Sequence, residues 1–164
     1  MSVYKEKILI KYYSNEDLRK IKEATNYKQL RYIAMGILDK MCNEYPLRPI
    51  AMICGPISAN DNRSRKENLE IFSRAIDRIS AGGLLVFNQM PFENDMERIY
   101  KSDPALQGIR LLEEFYSLIF FSGFIRLMCF LPGWEKSVGA TWEHKQAKRL
   151  NIPFIYLSEY YIKD

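Results

Sequence analysis

Leu127-Met128-Cys129-Phe130-Leu131-Pro132-Gly133-Trp134-Glu135-Lys136-Ser137-Val138-Gly139-Ala140-Thr141-Trp142-Glu143 decides the fold, because it sets a strand end, a turn and a helix start in one short window. The apolar run Leu127–Leu131 reads as a strand. Pro132-Gly133 reads as a turn, and Ser137 as the cap of a helix that runs to about Leu150, where Asn151 and Pro153 stop it. On that helix Ala140, Glu143, Ala147 and Leu150 recur at three- and four-residue spacing and share one face. Glu143 therefore sits in the apolar stripe that docks on the sheet. Burial disfavours a charged carboxylate, so one kept at such a place is a candidate for chemistry.

Working outward, short apolar runs alternate with amphipathic helices from Arg48 onward, the pattern of a parallel α/β sheet. Arg48–Cys54 is the first strand, and Gly55-Pro56-Ile57-Ser58 punctuates its carboxyl end. A polar loop from Ala59 to Arg65 leads to a helix with the stripe Leu69, Phe72, Ile76 and Ile79, closed by Gly82. Leu84–Phe87 is the second strand. The chain then reads as irregular from Asn88-Gln89-Met90-Pro91 to Asp103-Pro104, where a helix starts that runs through Phe115 or beyond. Leu127–Leu131 and Phe154–Leu157 supply the third and fourth strands.

Before the sheet, Leu30, Ile33, Ala34, Ile37, Leu38 and Met41 predict a long amphipathic helix. Ahead of it the pattern suggests a strand at Lys7–Tyr13 and a short helix opened by Ser14-x-x-Asp17. The expected organisation is an amino-terminal, mostly helical extension over residues 1–46 and an α/β domain over 47–164, in one compact whole.

At 164 residues the chain is long enough for one core and too short for two ordinary domains. With 48% hydrophobic and 27% charged residues it has the composition of a globular protein. The net charge of +4 comes from interleaved signs and leaves no nucleic-acid footprint. Three cysteines without C-x-x-C spacing predict reduced thiols, and the start lacks the apolar core of a secretory signal, so a cytoplasmic protein is expected. The apolar segment Phe115–Leu131 is broken by Ser122-Gly123 and Arg126. It divides into a helix end and a buried strand, so no membrane contact is expected.

In an open parallel sheet, ligands bind outside the carboxyl ends of the strands where the strand order reverses. Three loops emerge there: Gly55–Ser58, Asn88–Pro91 and Pro132–Ser137. The first and third are expected to feed helix N-termini, which favour phosphate or carboxylate. The candidate binding residues are Gly55, Pro56, Ser58, Asn88, Trp134, Ser137 and Gly139, with Glu143 as the catalytic candidate. Plainer readings stand beside these. Gly55-Pro56 can be a simple strand-to-helix turn, Asn88 an Asx-turn residue, and Trp134 a cover for the sheet end instead of a platform for a planar ligand. His144 points about 100° from Glu143 on a helix and reads as a surface or interface residue. One histidine and dispersed cysteines suggest no metal site, and no cofactor is expected.

The series Ala51-Met52-Ile53-Cys54-Gly55-Pro56-Ile57-Ser58, the helical Asn68 and Phe72, Phe87-Asn88 with Pro91, and above all Leu131-Pro132-Gly133-Trp134-Glu135-x-Ser137-x-Gly139-Ala140-x-x-Glu143 resemble the nucleoside 2-deoxyribosyltransferase-like superfamily. They resemble most its small branch with a Gly-Pro loop and a Pro-Gly-Trp-Glu-x-Ser turn. The match runs roughly from Arg48 to Leu157. The resemblance implies a flavodoxin/Rossmann-like three-layer sandwich, a homodimer or dimer of dimers, and cleavage of the N-glycosidic bond of a 2'-deoxynucleoside or its 5'-monophosphate. It also implies that Glu143 is the nucleophile. Ser137 stands where the nucleotide-hydrolysing branch has a phosphate-holding serine and the transferases have an aspartate. Arg126 stands where the family's strand often opens with an aspartate. The apolar stripes Leu30–Met41 and Leu106–Phe121 are the expected pairing surfaces. A non-catalytic nucleotide-binding or sensing module, or a docking protein with a vestigial site, would use the same elements.

Overall fold

The computed structural model describes residues 11–60, 62–103 and 108–164. Its elements are α1 (Asn15–Glu23), α2 (Tyr27–Glu44), β1 (Ile50–Cys54), α3 (Arg65–Ala81), β2 (Leu85–Val86) and α4 (Met90–Ser102), then α5 (Gly108–Leu111), a π-helical turn (Leu112–Tyr116) and α6 (Ser117–Phe121), and finally β3 (Ile125–Phe130), a 3-10 turn (Trp134–Lys136), α7 (Val138–Arg149), β4 (Phe154–Tyr156) and a second 3-10 turn (Glu159–Tyr161). These group into two compact units: Pro49–Phe87 with Ile125–Asp164, and the residues before Pro49 with Asn88–Phe124.

The first unit is an α/β sandwich on a four-stranded, all-parallel sheet of order β2-β1-β3-β4. This is the order of the first four strands of flavodoxin-like folds. β1, Ile-Ala-Met-Ile-Cys, is buried at every position, as expected of a strand covered on both faces. The chain steps from β1 to β2 toward one edge and from β3 to β4 toward the other. Right-handed crossovers therefore send α3 and α7 to opposite faces. β3 pairs with β1 through Ala51–Leu127 to Cys54–Phe130, and the register shifts at Ile50/Ala51, so that Arg126 is passed over and stays exposed.

Both helices of this unit begin where side chains satisfy their free amides. α3 opens on a capping box, with Ser64 and Glu67 bonding each other's backbone N–H groups. Its buried face is Asn68, Phe72, Ala75, Ile76 and Ile79, so Asn68 takes the place expected for Leu69, which is half-buried. Gly82 caps the helix in a right-handed conformation, and Gly83 supplies the left-handed turn at φ 98°. α7 is capped by Ser137, whose Oγ accepts from the Ala140 N–H at 3.2 Å, and it ends at Asn151 with φ 55°.

In the second unit, α1 carries the expected Ser14/Asp17 capping box, and α2 starts at Asn26, whose side chain accepts from the Gln29 N–H. The stripe Leu30, Ile33, Ala34, Ile37, Leu38 and Met41 is buried within the chain and is joined by Tyr27. Leu118 and Phe121 of the other stripe remain exposed, at 47% and 72%. Of the strand expected at Lys7–Tyr13, residues 7–10 lie outside the described residues, and residues 11–13 form a turn and an irregular stretch.

The irregular stretch expected after Asn88 is a helix. α4 buries Phe92, Glu93, Met96 and Ile99, and Pro91 sits in its first turn, where a missing N–H removes no helical bond. Pro104, expected to start the next helix, lies outside the described residues. The segment Phe115–Leu131 divides as predicted: α6 ends at Phe121, Gly123 turns with φ 83°, and β3 begins at Ile125. In the π-helical turn the Glu114 carbonyl accepts from Arg31 Nη1 at 2.6 Å, a side-chain partner of the kind irregular helical turns need. No helix among the described residues is long and apolar enough to cross a membrane.

Gly36 offers a simple check on α2. It is exposed in mid-helix, and a Cβ there would meet nothing within 4 Å. Gly36→Ala is expected to stabilise the protein by about 0.5–1 kcal/mol, because alanine has less backbone entropy to lose. Urea denaturation measures this, and a destabilised variant would contradict the helix assignment.

Candidate functional site

The strand order reverses between β1 and β3, and their carboxyl ends are locked together. Leu131 N–H donates to the Cys54 carbonyl at 2.8 Å, and Leu157 N–H donates to the Phe130 carbonyl at 2.8 Å. Gly55 follows Cys54 in a buried position. A Cβ on it would lie 2.9 Å from Leu131 Cβ, so glycine is required by the neighbouring strand's side chain. Beyond it, buried Asn68 of α3 donates its Nδ2 to the Ser58 carbonyl at 2.8 Å and to the Ile57 carbonyl at 3.4 Å. Asn68 thus fixes the Gly-Pro loop, leaving Pro56 half-buried and Ser58 exposed. This loop does not lead straight into a helix N-terminus as expected. α3 opens only at Arg65, and its first-turn amides are served by Ser64 and Glu67.

The second loop turns at Gly133, φ 85°, then winds through the short turn Trp134–Lys136 into Ser137. Half-buried Trp134 stacks on His144, with centroids 4.3 Å apart and planes at 29°. It also lies parallel to Tyr156 of β4, 5.8 Å away at 4°. His144 Nε2 and the Tyr156 hydroxyl are 2.8 Å apart. The expectation of a surface His144 is therefore corrected: it is buried among Phe130, Trp134, Phe154 and Tyr156. The turn and the edge strand cover the flank of α7 as well as its sheet-facing stripe. Loss of solvent, with Lys148 as a lesser cause, holds the imidazole below its ordinary range, so it is mainly neutral at pH 7. Trp134 covers the end of the sheet and has the protein's own rings as its partners.

Glu143 is buried on α7 as the stripe predicted, together with Ala140 and Ala147. Burial first, then the charge of nearby Glu143, push the Cys54 thiol well above its ordinary range. Burial alone pushes Cys129 up to about 11. All three cysteines are free thiols. Ser137 and Gly139 occupy the N-cap and the second position of α7, and no acidic residue lies in its first turn. That helix start differs from α3, where Glu67 already supplies a carboxylate.

No family model, curated protein or solved structure matches the chain.

Within the sheet unit, Gly55, Pro56, Trp134, Ser137, Gly139 and Glu143 thus lie on or beside the two loops that leave β1 and β3, while Ser58 sits farther along the first loop. Asn88 belongs to the helical unit. Its side-chain oxygen accepts from the Met90 N–H at 3.0 Å, an Asx turn that opens α4, and its carbonyl accepts from the Tyr13 hydroxyl. Reading the sequence missed one contributor, Asn68 as the anchor of the Gly-Pro loop. The signal was present as an amide at a core position of α3. Among the described residues, no group of three His, Cys, Asp or Glu side chains could hold a metal ion.

Proposed function

We propose that this protein cleaves the N-glycosidic bond of a 2'-deoxynucleoside or its 5'-monophosphate, with Glu143 as nucleophile. The observation that supports this reading is a buried carboxylate on α7, the helix that follows β3, in a sheet whose strand order reverses between β1 and β3. Attack of a Glu143 oxygen on the anomeric carbon forms a glycosyl ester as the carbon–nitrogen bond breaks. The base leaves with the bonding electrons and takes up a proton. Water then displaces the ester oxygen, giving the free sugar and the carboxylate again; a second base in place of water makes the reaction a transfer.

The start of α7 suits the phosphate of a nucleotide. Amides of its first turn point toward the loop, no carboxylate lies in that turn, and Ser137 adds a hydroxyl. This favours a 5'-monophosphate over the nucleoside, and hydrolysis over transfer. The test is to incubate the protein with nucleosides and 5'-monophosphates, with and without a free second base, and follow base release by chromatography. Release from a monophosphate, tighter binding than for the matching nucleoside, and loss of that preference in Ser137→Ala are expected. The variant should also lose about 0.5–2 kcal/mol of stability with its cap. Binding without release would support a sensing module instead, and equal affinity for nucleoside and nucleotide would reject the phosphate assignment.

A further inference from the structure

The two edges of the sheet differ. At one, Leu85 of β2 is buried and Val86 half-buried. At the other, Ile155 and Tyr156 of β4 are 43% and 59% exposed, and the strand Phe154-Ile155-Tyr156 carries no charged residue. Proteins ordinarily guard such an edge with charge, a bulge or a covering segment. The chain after β4 gives no cover. It winds through Glu159–Tyr161 onto α3, where Arg74 Nη1 donates to the Ile162 carbonyl at 2.8 Å and Arg78 Nη1 to the Lys163 carbonyl at 2.7 Å. Among the described residues, no strand lies beyond β4.

The ladder shows which groups are left over. The Pro153 carbonyl accepts from the Met128 N–H at 3.0 Å, and the Leu157 N–H donates to the Phe130 carbonyl at 2.8 Å. Residues 153, 155 and 157 therefore turn their backbone groups to β3, and Phe154 and Tyr156 turn theirs to the open edge. The rings of these two residues pack on Phe130, and the Tyr156 hydroxyl lies 2.8 Å from His144 Nε2. The edge is thus held extended before any partner arrives.

We infer that this edge pairs with β4 of a second copy, antiparallel about a two-fold axis at Ile155, so that two sheets join into one. Only that register uses both open residues. Phe154 of each copy lies opposite Tyr156 of the other, and each such pair exchanges both hydrogen bonds. An axis at Phe154 would set Tyr156 opposite Ile152, whose N–H already donates to the Ala147 carbonyl. An axis at Tyr156 would set Phe154 opposite Ser158, whose carbonyl already accepts from the Tyr161 N–H. At Ile155 the two side chains meet as a non-hydrogen-bonded pair, the closer kind, and cover each other's exposed surface. Charge agrees with this choice. Antiparallel pairing carries exposed Glu159, past the end of one strand, toward the start of the other, where the last turn of α7 holds exposed Lys148 and Arg149. The edge is complementary to itself in hydrogen bonds, apolar contact and charge, as an isologous dimer requires. This contact is distinct from the helical stripe on which Leu118 and Phe121 are exposed, and it does not depend on the reaction proposed for Glu143.

The experiment is sedimentation velocity at micromolar concentration on the wild type, Ile155→Lys, Ile155→Glu and an equimolar mixture of the two variants. Both changes fall on an exposed side chain and should leave the fold intact, which circular dichroism checks. A dimeric wild type is expected. Each variant alone sets like charges opposite each other and should associate roughly tenfold or more weakly. The mixture sets lysine opposite glutamate and should return to the dimer. A monomeric wild type overturns the inference, and so do single variants that stay dimeric, since the contact then lies elsewhere. Monomeric variants that fail to reassociate on mixing overturn the axis at Ile155. Should either variant fail to fold, amide hydrogen exchange of the wild type decides. Exchange of the Phe154 and Tyr156 N–H groups should slow as protein concentration rises, and exchange independent of concentration overturns the pairing.

Discussion

Glu143→Gln is expected to lower base release by roughly three orders of magnitude or more while leaving the protein folded. The amide fills the same space on α7 and its carbonyl still accepts hydrogen bonds, so the change in stability should stay within about 1 kcal/mol. What it cannot do is form the glycosyl ester. Urea denaturation and base-release assays on the same preparation separate the two effects. Wild-type turnover in the variant would remove Glu143 from the mechanism. An unfolded variant would make Glu143 a structural residue of the core and leave the reaction without a nucleophile. Mass spectrometry of a quenched reaction adds a positive control, since a sugar adduct on wild type and none on the variant marks the ester directly.

Glu143 could be found from sequence because its placement depends on local periodicity. Three- and four-residue spacing from Ala140 to Ala147 puts it on the buried stripe, and Ser137 and Asn151 bound the helix by chemistry visible in the chain. β1, β3 and β4 were legible for the same reason, as short apolar runs punctuated by Gly-Pro, Pro-Gly and Pro153. α4 was not. Its stripe of Phe92, Met96 and Ile99 is short and separated by charged residues, and Asn88 with Pro91 imitates a loop when both in fact open a helix.

What stayed hidden depends on pairing between distant segments. That Cys54 stands beside Phe130 follows from the register of β1 with β3, and that Gly55 must be glycine follows from Leu131 just past the end of β3. His144 failed a one-helix argument because burial on this fold is decided by more than the sheet-facing stripe. A residue 100° from that stripe is still enclosed when the preceding turn folds back and an edge strand lies alongside.

That enclosure has a centre, and removing it is expected to give the largest loss of stability. Phe130 is fully buried at the end of β3, with the rings of Trp134, His144, Phe154 and Tyr156 at 5.2, 5.1, 6.0 and 6.3 Å. Phe130→Ala removes the ring they all pack against and leaves a cavity that the paired backbones of β1, β3 and β4 cannot collapse to fill. The expected cost is about 3–5 kcal/mol, against a total stability of about 5–15 kcal/mol for a typical protein. The same ring seats Trp134, so the tryptophan emission of the folded variant should change, measured with Trp142→Phe as the background. Phe130→Leu, which keeps more of the apolar volume, should lose less. Urea denaturation of the three proteins decides the matter. A loss below about 1 kcal/mol in Phe130→Ala would mean that the rings close over the gap, and that the Pro-Gly-Trp turn is held by its backbone bonds and not by the aromatic cluster.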